Sequence, residues 1–213
     1  MRLVLIGPPG AGKGTQCKRL ADKYELTHLS SGDIFRGQMA AKTELGNTAK
    51  KYIDEGQLVP DPIVISMMTD AVKNEQNCIL DGFPRTVNQA KALDEALEKL
   101  NCDLDAVVEL IVADEEVASR LTKRRVCLNC GATYHLEYSK PKVDGICDSC
   151  GRELIQRDDD TEEVIFSRLA TYHKQTEPII DYYKNSGKKL ISIDAAGSID
   201  EITKELTSAI DNI

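Results

Sequence analysis

Gly7-Pro8-Pro9-Gly10-Ala11-Gly12-Lys13-Gly14-Thr15 is the stretch whose reading decides the fold. Ahead of it runs Leu3-Val4-Leu5-Ile6, a continuous apolar run of the kind that forms a parallel strand buried on both faces. Behind it, Thr15 to Tyr24 is rich in helix formers, with Cys17, Leu20 and Ala21 able to share one face. Gly7, four residues, then Gly12-Lys13 is the P-loop spacing. Glycines let successive backbone N–H groups curl inward around an anion, and the helix N-terminus adds partial positive charge. Lys13 then reaches the β- and γ-phosphates as a mobile point charge. The residue after the lysine is Gly14, and the hydroxyl comes one place later, at Thr15. That order puts direct Mg²⁺ ligation by a loop hydroxyl in doubt. The expectation is instead that Asp81, at the end of its own apolar run, holds Mg²⁺ through water.

A chain of 213 residues is long enough to bury a sizeable core. Its 27 Lys+Arg against 35 Asp+Glu, net charge -8, argue against a general nucleic-acid or membrane-surface binder, so positive charge must matter locally. No apolar run of about 18 residues exists, and the chain enters its first strand without a signal-peptide pattern. A soluble cytoplasmic protein is therefore expected.

The seven cysteines divide in two groups. Cys17, Cys78 and Cys102 sit in apolar or helical surroundings and are read as buried small hydrophobes. Cys127, Cys130, Cys147 and Cys150 form two C-x2-C pairs separated by 16 residues, each followed by a glycine, Gly131 or Gly151. That spacing predicts a four-thiolate Zn²⁺ site, and with every position filled by sulfur its role is structural. The rival, two disulfides, fits poorly with a chain lacking an export signal.

Along the chain, apolar runs at 26–29, 78–81, 106–112 and 189–194 read as further strands, alternating with helical stretches. Val87, Ala90, Leu93, Leu97 and Leu100 make the stripe of a helix laid on a sheet, and Ile199, Ile202, Leu206, Ile210 and Ile213 mark a closing helix. Residues 117–125 and 162–184 are expected to be helical. Glu109 inside an apolar run is unexplained. Strand-helix alternation predicts an α/β doubly wound fold, a P-loop domain with a parallel sheet of five strands, its ligand beyond the strands' carboxyl ends. Residues 30–59 read as a small helical insertion without core function. Residues 126–157, with three glycines, one proline and the cysteine pairs, read as a second insertion. The core is then 1–29, 60–125 and 158–213. Arg36, Arg85, Arg120, Arg124, Arg125, Arg157 and Arg168 are spread over insertions and core alike, several at the borders of the insertions, and guanidinium forks bind phosphate oxygens bidentately.

Gly7 to Gln16, Ser30-Ser31-Gly32-Asp33, Asp81-Gly82-Phe83-Pro84-Arg85-Thr86 and Arg124-Arg125 ahead of the second insertion together resemble the adenylate kinases, in the form with a long, zinc-bearing lid. Gly14 after the lysine is itself usual in that family. The resemblance implies that Gly10, Ala11, Gly12, Lys13, Gly14 and Thr15 bind the ATP phosphates, with Arg124, Thr133 and Tyr134 reaching ATP from the lid and Gly197 near the adenine. It implies that Ser31, Arg36, Gln57, Leu58, Val59, Gly82, Phe83, Pro84, Arg85 and Gln89 form the AMP site. Arg157 and Arg168 would bridge both nucleotides, and Lys13, Arg36, Arg85, Arg124, Arg157 and Arg168 would be the catalytic charges. The implied reaction is in-line transfer of the γ-phosphoryl of Mg-ATP to AMP, giving two ADP, with no nucleic-acid or membrane partner and a monomeric enzyme. A uridylate or cytidylate kinase shares nearly every phosphate-handling residue. The second rival is a zinc-ribbon nucleic-acid binder with a P-loop switch, against which the charge of residues 120–160 is too evenly balanced.

Overall fold

The computed structural model describes residues 1–213. Five parallel strands, β1 (Arg2–Ile6), β2 (Thr27–Ser30), β3 (Cys78–Asp81), β4 (Ala106–Ile111) and β7 (Leu190–Asp194), lie in the order β2-β3-β1-β4-β7. Arg2 to Leu5 pair with Cys78 to Asp81 on one side of β1, and Leu3 to Ile6 with Ala106 to Glu109 on the other. β1 is central, and Leu3, Val4, Leu5 and Ile6 are all at most 2% exposed, which explains its uninterrupted apolar run.

The alternation of β1 assigns its side chains to two cores. Val4 and Ile6 join Leu80 and Val107 under α4 (Asp61–Lys73), α5 (Val87–Lys99) and α8 (Pro178–Asn185), meeting Met68, Leu93, Leu97 and Tyr183. Leu3 and Leu5 join Ile79 and Val108 under α1 (Lys13–Tyr24) and α9 (Ile199–Ile210), meeting Cys17, Leu20, Leu206 and Ile210. Each such fully buried aliphatic side chain contributes roughly 1.5–3 kcal/mol of transfer free energy. Side-chain caps set several helix starts: Thr86 Oγ1 accepts from Gln89 N–H at α5, and Ser198 and Glu201 cap each other's backbone at α9.

Four expectations are corrected by the folded chain. The helices α2 (Ser31–Ala40) and α3 (Glu44–Ile53) do serve the core, because Phe35 and Ala49 are buried in the same cluster as Val4 and Leu80. Arg124 and Arg125 do not end a helix. α6 (Asp114–Thr122) stops first, and the arginines lie on β5 (Arg124–Val126), antiparallel to β6 (Thr133–His135). The long helix expected over 162–184 is α7 (Glu162–Thr171), a π-helical turn (Tyr172–Thr176) and α8. Pro178, which has no N–H to give and crowds the turn before it, explains the break. Leu100 and Ile213 end exposed, since their helices stop short of them. Glu109 finds its reason across the sheet, where it faces Ser192 on β7 and accepts a hydrogen bond from Ser192 Oγ at 2.6 Å.

Candidate active site

The carboxyl ends of the strands open on a cleft of about 1090 Å³ that reaches from the P-loop to the 126–157 segment. At its floor, Gly7 runs so close to β4 that a Cβ there would lie 2.8 Å from the Leu110 carbonyl oxygen, and Gly10 and Gly12 adopt φ of 79° and 89°. Only glycine takes this path without strain. α1 begins at Lys13, so its first backbone N–H groups have no intrahelical partner and face the loop. Lys13 Nζ donates to the Gly7 and Pro8 carbonyls at 2.7 and 2.8 Å. Burial pushes its pKa down to about 7, and Asp81 opposes this only in part.

Asp81 stands opposite. Burial alone would raise its carboxyl, but the hydrogen bond from His28 Nε2 at 3.3 Å and the Lys13 charge outweigh it and hold the pKa below the ordinary range. A Cβ on Gly14 would come within 3.3 Å of Asp81 Oδ2. A glycine after the lysine therefore leaves the carboxylate room beside the loop. Asp81, lying ionised beside the phosphate cradle, fits a water-shelled Mg²⁺. Cys17 lies in the same group of potential ligand atoms, but burial raises its thiol well above the usual range and keeps it from being a thiolate ligand.

Five arginines converge above this floor. Arg36 pairs with Asp33 at 2.6 Å, and Arg85 Nε donates to the Gly82 carbonyl at 2.9 Å. Arg124 grips Asp160 with Nε and Nη2 at 2.8 and 2.6 Å, while Arg168 Nη1 reaches Asp160 and Asp159 at 3.0 and 2.9 Å. Arg157 has no such partner for its Nε, which is buried and unbonded. Burial and the neighbouring Arg124 and Arg36 push its pKa down to about 9, and burial with Arg168 lowers that of Arg85. Protonated guanidiniums held this close in a sheltered cleft repel one another, and a polyanion between them relieves the repulsion. Sequence reasoning missed Asp159 and Asp160. Their signal was the Asp158-Asp159-Asp160 run directly ahead of α7.

On the other wall, Ser31 Oγ donates to the Gly82 carbonyl at 2.7 Å, and Gln57, Leu58 and Val59 line the cleft with Gly82, Pro84, Arg85 and Gln89. Phe83 does not join them, because its side chain is fully buried in the core beneath. Gln89 is 1% exposed, with Oε1 accepting from Arg85 N–H and Nε2 donating to Asp61 Oδ1, both at 2.8 Å. Thr176 on the π turn donates to the Arg85 carbonyl at 2.9 Å. Gly197 borders the far end beside Arg120, whose Nη2 donates to the Ala195 carbonyl at 2.8 Å. Thr133 and Tyr134 lie on the wall formed by β6.

Cys127, Cys130, Cys147 and Cys150 bring all four sulfurs within 4.8 Å of one another. The Cys127–Cys150 and Cys130–Cys147 separations are 3.4 and 3.5 Å, and all four thiols are free. A tetrahedral ion with metal–sulfur bonds of about 2.3 Å spaces its sulfurs by about 3.8 Å, so the donor set fits one closed four-thiolate site. Gly131 and Gly151, at φ of 71° and 68°, turn the chain back after each pair. Tyr134 Oη accepts from Asp148 N–H at 2.8 Å and lies 3.6 Å from Cys147 Sγ, joining this cluster to the cleft wall.

The family model described as adenylate kinase matches residues 5–188. Similar curated proteins carry the same name. One from Acetivibrio thermocellus is 51% identical over 217 residues, covering 100% of this chain and 99% of the relative. One from Archaeoglobus fulgidus is 49% identical over 216 residues, with 100% and 99% covered. A third, from Streptomyces coelicolor, is 50% identical over 214 residues, with 99% and 98% covered.

Proposed function

This chain belongs to the adenylate kinase family and is a phosphotransferase, and on that premise we propose how its residues divide the transfer of the ATP γ-phosphoryl group to AMP. The observation that carries the reading is the group of six cations, Lys13, Arg36, Arg85, Arg124, Arg157 and Arg168, gathered in one cleft between the P-loop and the two inserted segments. The backbone of Gly10 to Thr15 cradles the β- and γ-phosphates of ATP, and Lys13 leaves the loop carbonyls to meet them. Arg36 and Arg85 hold the AMP phosphate. Arg124, Arg157 and Arg168 close from above on the group in transit. Asp81 would hold Mg²⁺ through water, and the ion would supply charge neutralisation at the phosphates. The acceptor phosphate is already an anion, so no general base is required, and catalysis is positioning plus charge neutralisation.

The inserted segments 30–59 and 126–157 shield this site from water as an AMP-side cover and a lid. The lid's four thiolates hold a structural Zn²⁺. The working unit is read as a cytoplasmic monomer with no nucleic-acid or membrane partner; no helix of the chain is long and apolar enough to cross a membrane. A coupled assay of ADP formation from ATP with AMP, UMP or CMP tests the reading. AMP should be the preferred acceptor, and equal rates with UMP or CMP would overturn it. Replacing Arg36 or Arg85 by alanine should raise the KM for AMP strongly and that for ATP little; equal rises refute this division of roles.

A further inference from the structure

The side-chain amide of Gln89 has two ends of opposite hydrogen-bonding character, and nothing in its own shape decides which end faces which neighbour. Its surroundings decide. Arg85 N–H can only donate, and it meets Oε1 at 2.8 Å. The Asp61 carboxylate can only accept, and Nε2 meets its Oδ1 at 2.8 Å. Reversing the amide would set Nε2 against an N–H and Oε1 against a carboxylate, two buried like-with-like contacts at once. Asp61 is itself held, because its other oxygen accepts from Thr86 Oγ1 at 2.8 Å and its backbone begins α4.

We propose that Asp61 determines the base preference of the acceptor site by locking the orientation of the Gln89 amide. The inference rests on the reading that Gln89 belongs to the AMP site, and takes its amide to meet the base edge of the acceptor. With these bonds made, Gln89 retains one Nε2–H and one Oε1 lone pair. Those are a donor and an acceptor side by side, matching the ring-nitrogen acceptor and exocyclic amino donor of adenine. Hypoxanthine presents the reverse at its 1 and 6 positions, a ring N–H and a carbonyl oxygen. A free amide turns over and matches either base, whereas the locked amide faces hypoxanthine with like against like. Discrimination by such unpaired polar contacts is far stronger than by shape alone.

The test compares kcat/KM for AMP and for inosine monophosphate at saturating ATP in the wild type and in Asp61→Ala, Thr86→Ala and Gln89→Leu. Asp61→Ala should lower the AMP-to-inosinate ratio at least about tenfold, with the KM for ATP within about twofold of the wild type. A purely structural role for Asp61, through its bond to the helix-capping Thr86, would lower the thermal midpoint as Thr86→Ala does and leave the ratio alone. The proposal is overturned if the ratio survives Asp61→Ala but collapses in Gln89→Leu. If it survives Gln89→Leu as well, the base-reading role of Gln89 has failed and takes the proposal with it. Should Asp61→Ala not fold, Asp61→Asn keeps the shape while admitting both amide orientations, and an undiminished ratio there overturns the proposal equally.

Discussion

In the proposed mechanism Lys13 is the residue on which the phosphate chemistry turns, and its burial sets its charge. With no anion in reach it is bonded to the Gly7 and Pro8 carbonyls and its pKa is pushed down to about 7. A triphosphate bound in the loop, as proposed, would supply opposite charge and raise the pKa again. The sign follows: above pH 7 the free site is largely neutral at Lys13, so binding ATP takes up a proton, and below about pH 6 it does not. Calorimetric titrations at pH 8 in buffers of different ionisation enthalpy should record that uptake, and Lys13→Ala should abolish it. The same substitution should lower turnover by at least about 100-fold, roughly 2.7 kcal/mol of barrier, with the thermal midpoint retained. A fall of less than about tenfold would mean that Lys13 is not the phosphate clamp.

Among the elements, the hairpin of β5 and β6 with its two cysteine turns depends most on something other than apolar burial. Its buried cluster is Cys127, Tyr134, Cys147 and Leu154, while Leu128 and Val143 are 74% and 61% exposed. So few buried side chains do not offset the chain entropy of a segment this long, and on the proposed reading a Zn²⁺ held by the four thiolates would be the staple that does. Arg124 on β5 pairs across the hairpin with His135, and Tyr134 on β6 lies 3.6 Å from Cys147 Sγ, so such a staple would position both. Replacing Cys127 and Cys130 by serine should therefore lower the thermal midpoint and turnover while ATP still binds at the P-loop. Metal analysis of the unaltered protein should find about one Zn²⁺ per chain. A metal-free preparation with reduced thiols, full activity and unchanged stability would refute the dependence.

At the scale of the whole molecule, a chain of net charge -8 places nine of its 27 Lys and Arg along one cleft and pairs several of them with carboxylates there. Asp160, with 0% exposure, accepts from both Arg124 and Arg168, and Asp159 is held below the usual carboxyl range by the same arginines, which outweigh its burial. Hydrogen bonds join each inserted segment to the core: Lys18 Nζ donates to the Gly131 carbonyl at 3.1 Å, and Ser167 Oγ to the Glu55 carbonyl at 2.7 Å. Removing the Asp160 carboxylate strips Arg124 of its partner and leaves Arg168 with Asp159 alone, and breaking such a buried pair typically costs about 3–5 kcal/mol. Asp160→Ala should thus unfold at lower temperature, and saturating ATP and AMP should recover part of the loss, because phosphates supply the missing negative charge. Equal losses with and without nucleotides would show that the carboxylate and the phosphates do not exchange partners.

What the residue order determined by itself was local in its causes. A buried parallel strand, a glycine loop with its lysine and a helix must follow one another at Leu3 to Tyr24, because each needs only its own residues to be read. The two C-x2-C pairs carried their ligand geometry in the same way, and the alternation of strands and helices carried the five-stranded sheet. Only the tertiary structure decided the partners. Phe35 and Ala49 look too sparse for a core until the sheet beneath them supplies the other side. Phe83 sits within a motif whose neighbours line the cleft, yet its ring fills the core. Asp61, Asp159 and Asp160 are ordinary carboxylates at ordinary spacings. Their importance comes from partners they meet only when the chain has folded: Gln89, 28 residues from Asp61; Arg124, 36 residues from Asp160; and Arg168, which pairs with both Asp159 and Asp160. Hydrogen bonds and charge pairs act over a few ångströms, and separation along the chain says nothing about which groups come that close.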